Sequence, residues 1–306
     1  MSFLQALVAM LRLGRPLFLV GGFVLHGLGV AIACYQGYPV RPAIFLWGQV
    51  AVTAAQLMTH YRNAYFDIAA DRANFTPTRW SGGSRVLVQT TLPPRWALYL
   101  ALTLLFISLA AITQASRLGG QPALLVLLAG VGLSWFYSAP PLQLHSRGVG
   151  ELTVAIVVPV LSTLAGYTLQ AGRVGLLPLL VTVPLALFQF AMLLAIEYPD
   201  AVGDAAVGKG TLVVRLGVAP AARLWLGVLA LAVSSLPLIV LAGVPGRVAA
   251  LMALFSLPLV IWFWLRIKEA RWAQPDWWNW LGFFSIGLLV GTAAVALIGF
   301  LSLCLL

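Results

Sequence analysis

The chain is built from successive runs of about 20 apolar residues divided by short polar segments, a pattern that leaves few folds open. At 1.5 Å per residue, each run is long enough to cross a hydrocarbon core as a helix. The runs are continuously apolar and lack the period-2 alternation of barrel strands, so a helical bundle is expected, in which each span satisfies its own backbone hydrogen bonds. Only 8% of the 306 residues are charged and the mean hydropathy is +0.99, a balance no water-soluble domain of this size sustains.

Arg, Gly and Pro punctuation divides the apolar sequence into nine expected spans, near 16–35, 43–66, 96–115, 121–138, 151–170, 176–196, 219–243, 247–265 and 281–304. The expected fold is all-α: an integral membrane bundle of nine transmembrane helices forming a single domain over residues 1–306. Arg12 and Arg15 precede the first apolar run as in a signal peptide, but no small-residue cleavage site follows, so the segment reads as the first span. Cys34 and Cys304 stand far apart among apolar residues and form no metal or redox motif.

The charges orient this bundle. With the amino terminus on the cytoplasmic side, all of the 18 basic residues except Arg41, Arg117, Arg173 and Arg247 fall on that side, as the positive-inside rule requires. The net charge of +10 therefore reflects topology, and no nucleic-acid partner is expected, because the basic residues are spread over short loops against a lipid bilayer. The eight acids, Asp67, Asp71, Glu151, Glu197, Asp200, Asp204, Glu269 and Asp276, fall on the cytoplasmic side too.

Five of these acids lie in two short segments, Asn63-Ala-Tyr-Phe-Asp67-Ile-Ala-Ala-Asp71 and Glu197-Tyr-Pro-Asp200-Ala-Val-Gly-Asp204. Each segment leaves an even-numbered span and carries two aspartates four apart. If the helices continue through them, each pair projects both carboxylates from one face. Asp67 and Asp200 are 133 residues apart, as are Asp71 and Asp204. One such pair is an ordinary solvated helix end. Two at matching places, in a chain with almost no other acids, point to one shared pocket.

Four carboxylates at the rim of a low-dielectric bundle repel one another and raise their own pKa values unless cations sit among them. Hard oxygen donors at this density suit Mg²⁺, which keeps several waters and bridges carboxylates to substrate phosphates. Arg62, Arg72, Arg85, Lys209 and Arg215 are near enough in sequence to meet the remaining phosphate oxygens. A polar stripe, Gln49, Thr53, Gln56, His60, Asn63, Asp67 and Asp71, follows one helical face inward, and Gln189 begins a weaker one toward Glu197. Polar groups at that depth predict a central chamber with its charged mouth at the cytoplasmic surface.

At these residues the chain resembles the UbiA superfamily of membrane prenyltransferases. Asn63, Asp67 and Asp71 match its NxxxDxxxD motif, and Asp200 and Asp204 its DxxxD motif. The likeness extends through Gly82-Gly83-Ser84-Arg85-Val86-Leu87, Tyr137-Ser138-Ala139-Pro140-Pro141, Gly148-Val149-Gly150-Glu151 and the run Gly208 to Gly217. The resemblance implies a nine-helix bundle in which Asn63, Asp67, Asp71, Asp200 and Asp204 bind two Mg²⁺ ions and the diphosphate of a polyprenyl diphosphate. Arg62, Arg85, Lys209 and Arg215 are the implied phosphate contacts, and Tyr137, His145 and Arg147 lie on the aromatic acceptor side. Many relatives have Asn four residues before the second motif. Here Ile196 stands in that place with Glu197 beside it, leaving open whether Glu197 is a metal ligand. The motif runs look most like the MenA type, which prenylates 1,4-dihydroxy-2-naphthoate toward menaquinone, ahead of the type that uses 4-hydroxybenzoate. A cation transporter is the non-enzymatic alternative, but it predicts acids at midspan or on both faces.

Overall fold

The computed structural model describes residues 2–305. A short amphipathic helix, α1 (Phe3–Leu13), precedes α2 (Leu19–Tyr35). Next come α3 (Pro42–Phe66), the short α4 (Ile68–Ala73) and α5 (Val86–Gln89), and the long α6 (Pro94–Gly119) and α7 (Gln121–Ser138). The segment α8 (Gly150–Ala155) continues through a π-helical stretch, Ile156–Leu161, into α9 (Ser162–Ala171). Then follow α10 (Leu176–Glu197), the short α11 (Ala201–Ala206) and α12 (Leu212–Leu216), and the long α13 (Val218–Leu241), α14 (Gly246–Lys268) and α15 (Pro275–Cys304). No strand occurs among the described residues.

Proline opens α3, α6 and α15, where a missing backbone N–H costs nothing and the fixed φ favours the first helical turn. Pro159 lies inside the π-helical stretch, and its missing donor accounts for the local loss of regular hydrogen bonding there. The first apolar segment does not run unbroken from the amino terminus. Arg15 takes a left-handed conformation at φ 47° and separates α1 from α2, so the approach to the first span is a helix of its own.

Among the described residues, eight helical segments are long and apolar enough to cross a membrane. The expected span 43–66 coincides with the 25-residue α3, which has the length but carries the polar stripe. The stripe divides in two. Gln49 and Thr53 bond to each other at 3.0 Å, whereas Gln56, His60, Asn63, Asp67 and Asp71 line a cavity of about 750 Å³. Its walls come from α2, α3, α7, the π-helical stretch, α10 and α15, and they are largely aliphatic away from the aspartates.

Candidate active site

Neither aspartate segment simply extends its helix. α3 stops at Phe66 and α10 at Glu197, and each aspartate pair then spans a fresh short helix, α4 or α11. The expected i, i+4 relation survives the break: the Asp71 N–H donates to the Asp67 carbonyl at 2.8 Å, and the Asp204 N–H to the Asp200 carbonyl at 2.8 Å. One helical turn thus carries each pair.

α4 and α11 pack against each other, which brings the pairs to one place although they are remote in sequence. Asn74 ties the two turns: its Nδ2 donates to Asp200 Oδ1 at 2.7 Å, and the Thr76 hydroxyl beside it donates to the Pro199 carbonyl at 2.9 Å. The close approach requires Gly203, since a Cβ there would meet the Asn74 backbone at 2.9 Å. The loop Gly82-Gly83 closes over the same carboxylates. The Gly82 N–H donates to Asp200 Oδ2 at 2.9 Å, and Gly83, at φ 69°, lies where any Cβ would run into the Asp71 carboxylate.

The four aspartates, Asn63, Tyr137 and Lys209 all line the cavity. Lys209 bridges the two turns, with its Nζ 3.4 Å from Asp204 Oδ1 and 3.8 Å from Asp67 Oδ2. Asp67 Oδ1 also lies 2.8 Å from His145 Nε2, whose Nδ1 pairs with the Ser146 hydroxyl at 3.0 Å. Burial favours the neutral form of Asp67, but Lys209 and the His145 bond outweigh it and hold this carboxyl below its ordinary range. The other three are pushed up. Burial and the nearby charge of Asp67 raise Asp71 to about 7, burial raises Asp200 to about 6, and burial raises Asp204. Burial opposes the charge of Lys209, but Asp67 and Asp204 keep its ammonium protonated well above its ordinary value.

The other sequence candidates lie behind this surface. Arg62 is fully buried and spends its guanidinium on the Ser134 and Trp135 carbonyls and on Asn63 Oδ1, which also accepts from the Ser138 hydroxyl at 2.7 Å. Arg85 donates to the Asp71 and Asn74 carbonyls, at 3.2 Å for the latter, and so fixes the end of α4. Arg215 donates to the Gly210 carbonyl at 2.9 Å and Arg147 to the Pro141 carbonyl at 2.9 Å, both at exposed positions. Glu197 faces the fully buried Glu151, whose Oε1 accepts from the Leu212 N–H at 2.6 Å, while its neighbour Ile196 lines the cavity. Sequence reasoning passed over Asn74, Gly82 as a donor, and Arg15, which also lines the cavity.

Among the described residues, no three acids, histidines or cysteines form a closed metal cage. The donor set nonetheless fits Mg²⁺. It consists of hard carboxylate oxygens, three of them with a raised affinity for protons that a divalent cation would displace. Mg²⁺ is ordinarily held by one or two carboxylates together with water and phosphate oxygens.

The sequence pattern of the UbiA prenyltransferase family matches residues 20–288, and the chain belongs to that family, whose members are prenyltransferases. Among curated relatives, the 1,4-dihydroxy-2-naphthoate octaprenyltransferase of Bacillus subtilis (strain 168) is 23% identical over 206 residues, covering 67% of this chain and 65% of that protein. The UbiA prenyltransferase domain-containing protein 1 of Xenopus tropicalis is 26% identical over 220 residues, covering 71% of this chain and 62% of that protein. The matched stretch therefore spans slightly less than two thirds of each relative's own length. A UbiA homolog from Archaeoglobus fulgidus solved with GPP and Mg²⁺ superposes with a TM-score of 0.64 at 17% identity, covering 95% of this chain and 99% of that one. The apo UbiA homolog of Aeropyrum pernix K1 gives 0.67 at 19% identity, covering 91% and 96%. At these identities the likeness is one of fold.

Proposed function

We propose that this protein transfers a prenyl group from a polyprenyl diphosphate to a hydroxylated aromatic acid, foremost 1,4-dihydroxy-2-naphthoate, at the mouth formed by the two aspartate turns. The observation that carries this reading is the junction of α4 and α11, which gathers four carboxylates and one lysine at the head of an otherwise aliphatic chamber. Such a site suits a substrate with a highly charged head and a long apolar tail. The ligands of the Archaeoglobus relative and the activity of the Bacillus relative support the donor and the acceptor respectively.

Asp67, Asp71, Asp200 and Asp204 would hold Mg²⁺, two ions in this reading, and the metal would supply positive charge against the departing diphosphate. Lys209, already seated between Asp67 and Asp204, adds a point charge on the same side. The allylic carbon–oxygen bond breaks with its electron pair leaving on the diphosphate, a ring carbon of the acceptor forms the new carbon–carbon bond, and the ring loses a proton. The apolar walls keep water from the electron-poor allylic carbon, which water would otherwise convert to an alcohol. The mouth opens to the cytoplasm, the side on which the basic residues collect.

The test is turnover of the purified protein in lipid nanodiscs with radiolabelled prenyl diphosphates and a panel of aromatic acids, with and without Mg²⁺. Magnesium-dependent prenylation of the dihydroxynaphthoate is expected. Exclusive use of 4-hydroxybenzoate would shift the acceptor assignment, and no prenyl transfer to any aromatic acid would sink the proposal.

A further inference from the structure

In the sequence, Arg15 counts only as one of several basic residues flanking the first span. In the fold it occupies the left-handed turn between α1 and α2 and lines the chamber. Its Nη2 donates to the Trp80 carbonyl at 3.0 Å, and its guanidinium carbon lies 4.5 Å from the Phe18 ring centroid. A guanidinium has five N–H donors. This hydrogen bond uses one, and Arg15 makes no ion pair among the described residues.

The surroundings of Arg15 are aromatic, unlike those of Lys209. The Phe18 ring lies 6.0 Å from His60 and 6.3 Å from Trp80, and all three side chains line the chamber. Two buried polar atoms here have no partner within the protein: Nε2 of His60 and Oε1 of Gln56. The Gln56 amide is held in place, since its Nε2 donates to the Phe18 carbonyl at 2.8 Å. A spare guanidinium, flat aromatic faces and two unspent hydrogen-bonding atoms together match a planar aromatic ring that bears a carboxylate and a hydroxyl.

We infer that Arg15, Phe18, His60 and Trp80 form the subsite for the aromatic acid, with the carboxylate on Arg15, the ring against Phe18 and Trp80, and a hydroxyl on His60 or Gln56. This rests on the proposed function and assigns acceptor recognition to the turn after α1 instead of to Arg147, which lies outside the chamber. It leaves the diphosphate to the carboxylate and Lys209 side. Arg15 and Trp80 line the same chamber as Gly82, Gly83, Asp71 and Asp200, which puts the ring beside the aspartate turns where the allylic carbon would lie.

The experiment compares wild type with R15A and R15Q, the latter keeping a donor for the Trp80 carbonyl should R15A fail to fold. Kinetics are measured with 1,4-dihydroxy-2-naphthoate and with 1,4-naphthalenediol, which lacks the carboxylate. Both variants are expected to raise the KM for the acid about 10- to 100-fold, the worth of a charge-assisted contact. The KM for the prenyl diphosphate should stay within about twofold, and the loss on the diol should be about tenfold smaller than that on the acid. A rise in the prenyl diphosphate KM alone, or equal losses on acid and diol, would overturn the assignment. A second arm titrates 1-hydroxy-2-naphthoate into the full-length protein by calorimetry without prenyl diphosphate. Binding by wild type that R15Q weakens supports the subsite even if no acceptor is turned over, in which case only the proposed function falls. No binding by wild type overturns the subsite itself.

Discussion

The two aspartate turns have nearly the same backbone and differ in what holds their carboxylates. Each closes with the same 2.8 Å hydrogen bond from the second aspartate to the first. Asp67 then faces charge or potential charge, Lys209 and His145, whereas both oxygens of Asp200 are taken by neutral donors, Asn74 Nδ2 and the Gly82 N–H. The electrostatic result follows. Asp67 is held ionised, while burial leaves Asp200 raised to about 6 and Asp71 to about 7. Hydrogen bonds from neutral groups orient a carboxylate but compensate its burial less than a cation does. Lys209 faces one carboxylate in each turn, Asp67 and Asp204, but only Asp67, which also has His145, is held below its ordinary range; the other three depend on the metal's arrival.

The strongest way to break this comparison is to neutralise one turn at a time. Asp67→Asn and Asp200→Asn should each lower prenyl transfer by about 10³-fold or more, because either loss removes an anionic ligand from a site that works by charge compensation. Both variants should elute as the wild type does on size exclusion and retain its helical circular dichroism. Near-full activity of Asp200→Asn at saturating Mg²⁺, with Asp67→Asn inactive, would show that the second turn is only a packing element.

A smaller effect is expected from the groups that orient the second turn. Asn74→Ala removes one of the two donors on Asp200 and the side-chain tie between α4 and α11. Supporting contacts of this kind are worth about 10- to 100-fold in metal affinity. The Mg²⁺ concentration for half-maximal activity should rise accordingly, and excess Mg²⁺ should restore most of the rate. An Asn74→Ala enzyme that Mg²⁺ fails to rescue would place the damage in folding.

The proton affinities sharpen the same contrast. A carboxyl with a raised pKa is protonated below that value, and a divalent cation must displace its proton to bind. With Asp71 at about 7 and Asp200 at about 6, the apparent Mg²⁺ affinity should fall by about tenfold or more between pH 8 and pH 6. Asp71→Asn should flatten the upper part of that dependence. A pH-independent Mg²⁺ requirement across this window would contradict the arrangement of charges described here.

The unequal legibility of the two turns in the sequence has a physical cause. The carboxylate pairs stand out because acids are rare in so apolar a chain and because a four-residue spacing maps onto one helical turn. The partners of Asp200 leave no such mark. Asn74 and Gly82 are separated from it by 126 and 118 positions, lie outside the spans, and are polar or small residues of kinds common in loops. Arg62 shows the converse. Its place beside Asn63 suggests a phosphate contact, but the Ser134 and Trp135 carbonyls in the last turn of α7 accept from the guanidinium instead, the Trp135 carbonyl in addition to the Ala139 N–H. Spacing tells which residues share a face; it does not tell which carbonyl across the bundle will take the charge.

Arg147 provides the smallest and most discriminating effect. Its place in the sequence, after Tyr137 and the two prolines, makes it a natural candidate for an acidic acceptor. In the fold its guanidinium reaches back to the Pro141 carbonyl at the exposed edge, while Tyr137 alone of the three acceptor candidates lines the chamber. Arg147→Ala should therefore leave the KM values for acceptor and prenyl diphosphate within about twofold of wild type, the ordinary consequence of losing an exposed side chain that touches no substrate. Set against a large acceptor effect at Arg15, that result would place acid recognition in the wall formed by the turn after α1 and the facing side of α3. A tenfold rise in the acceptor KM for Arg147→Ala would instead mean that the loop after α7 folds inward when the acceptor binds, and the chamber as it stands would then lack one of its walls.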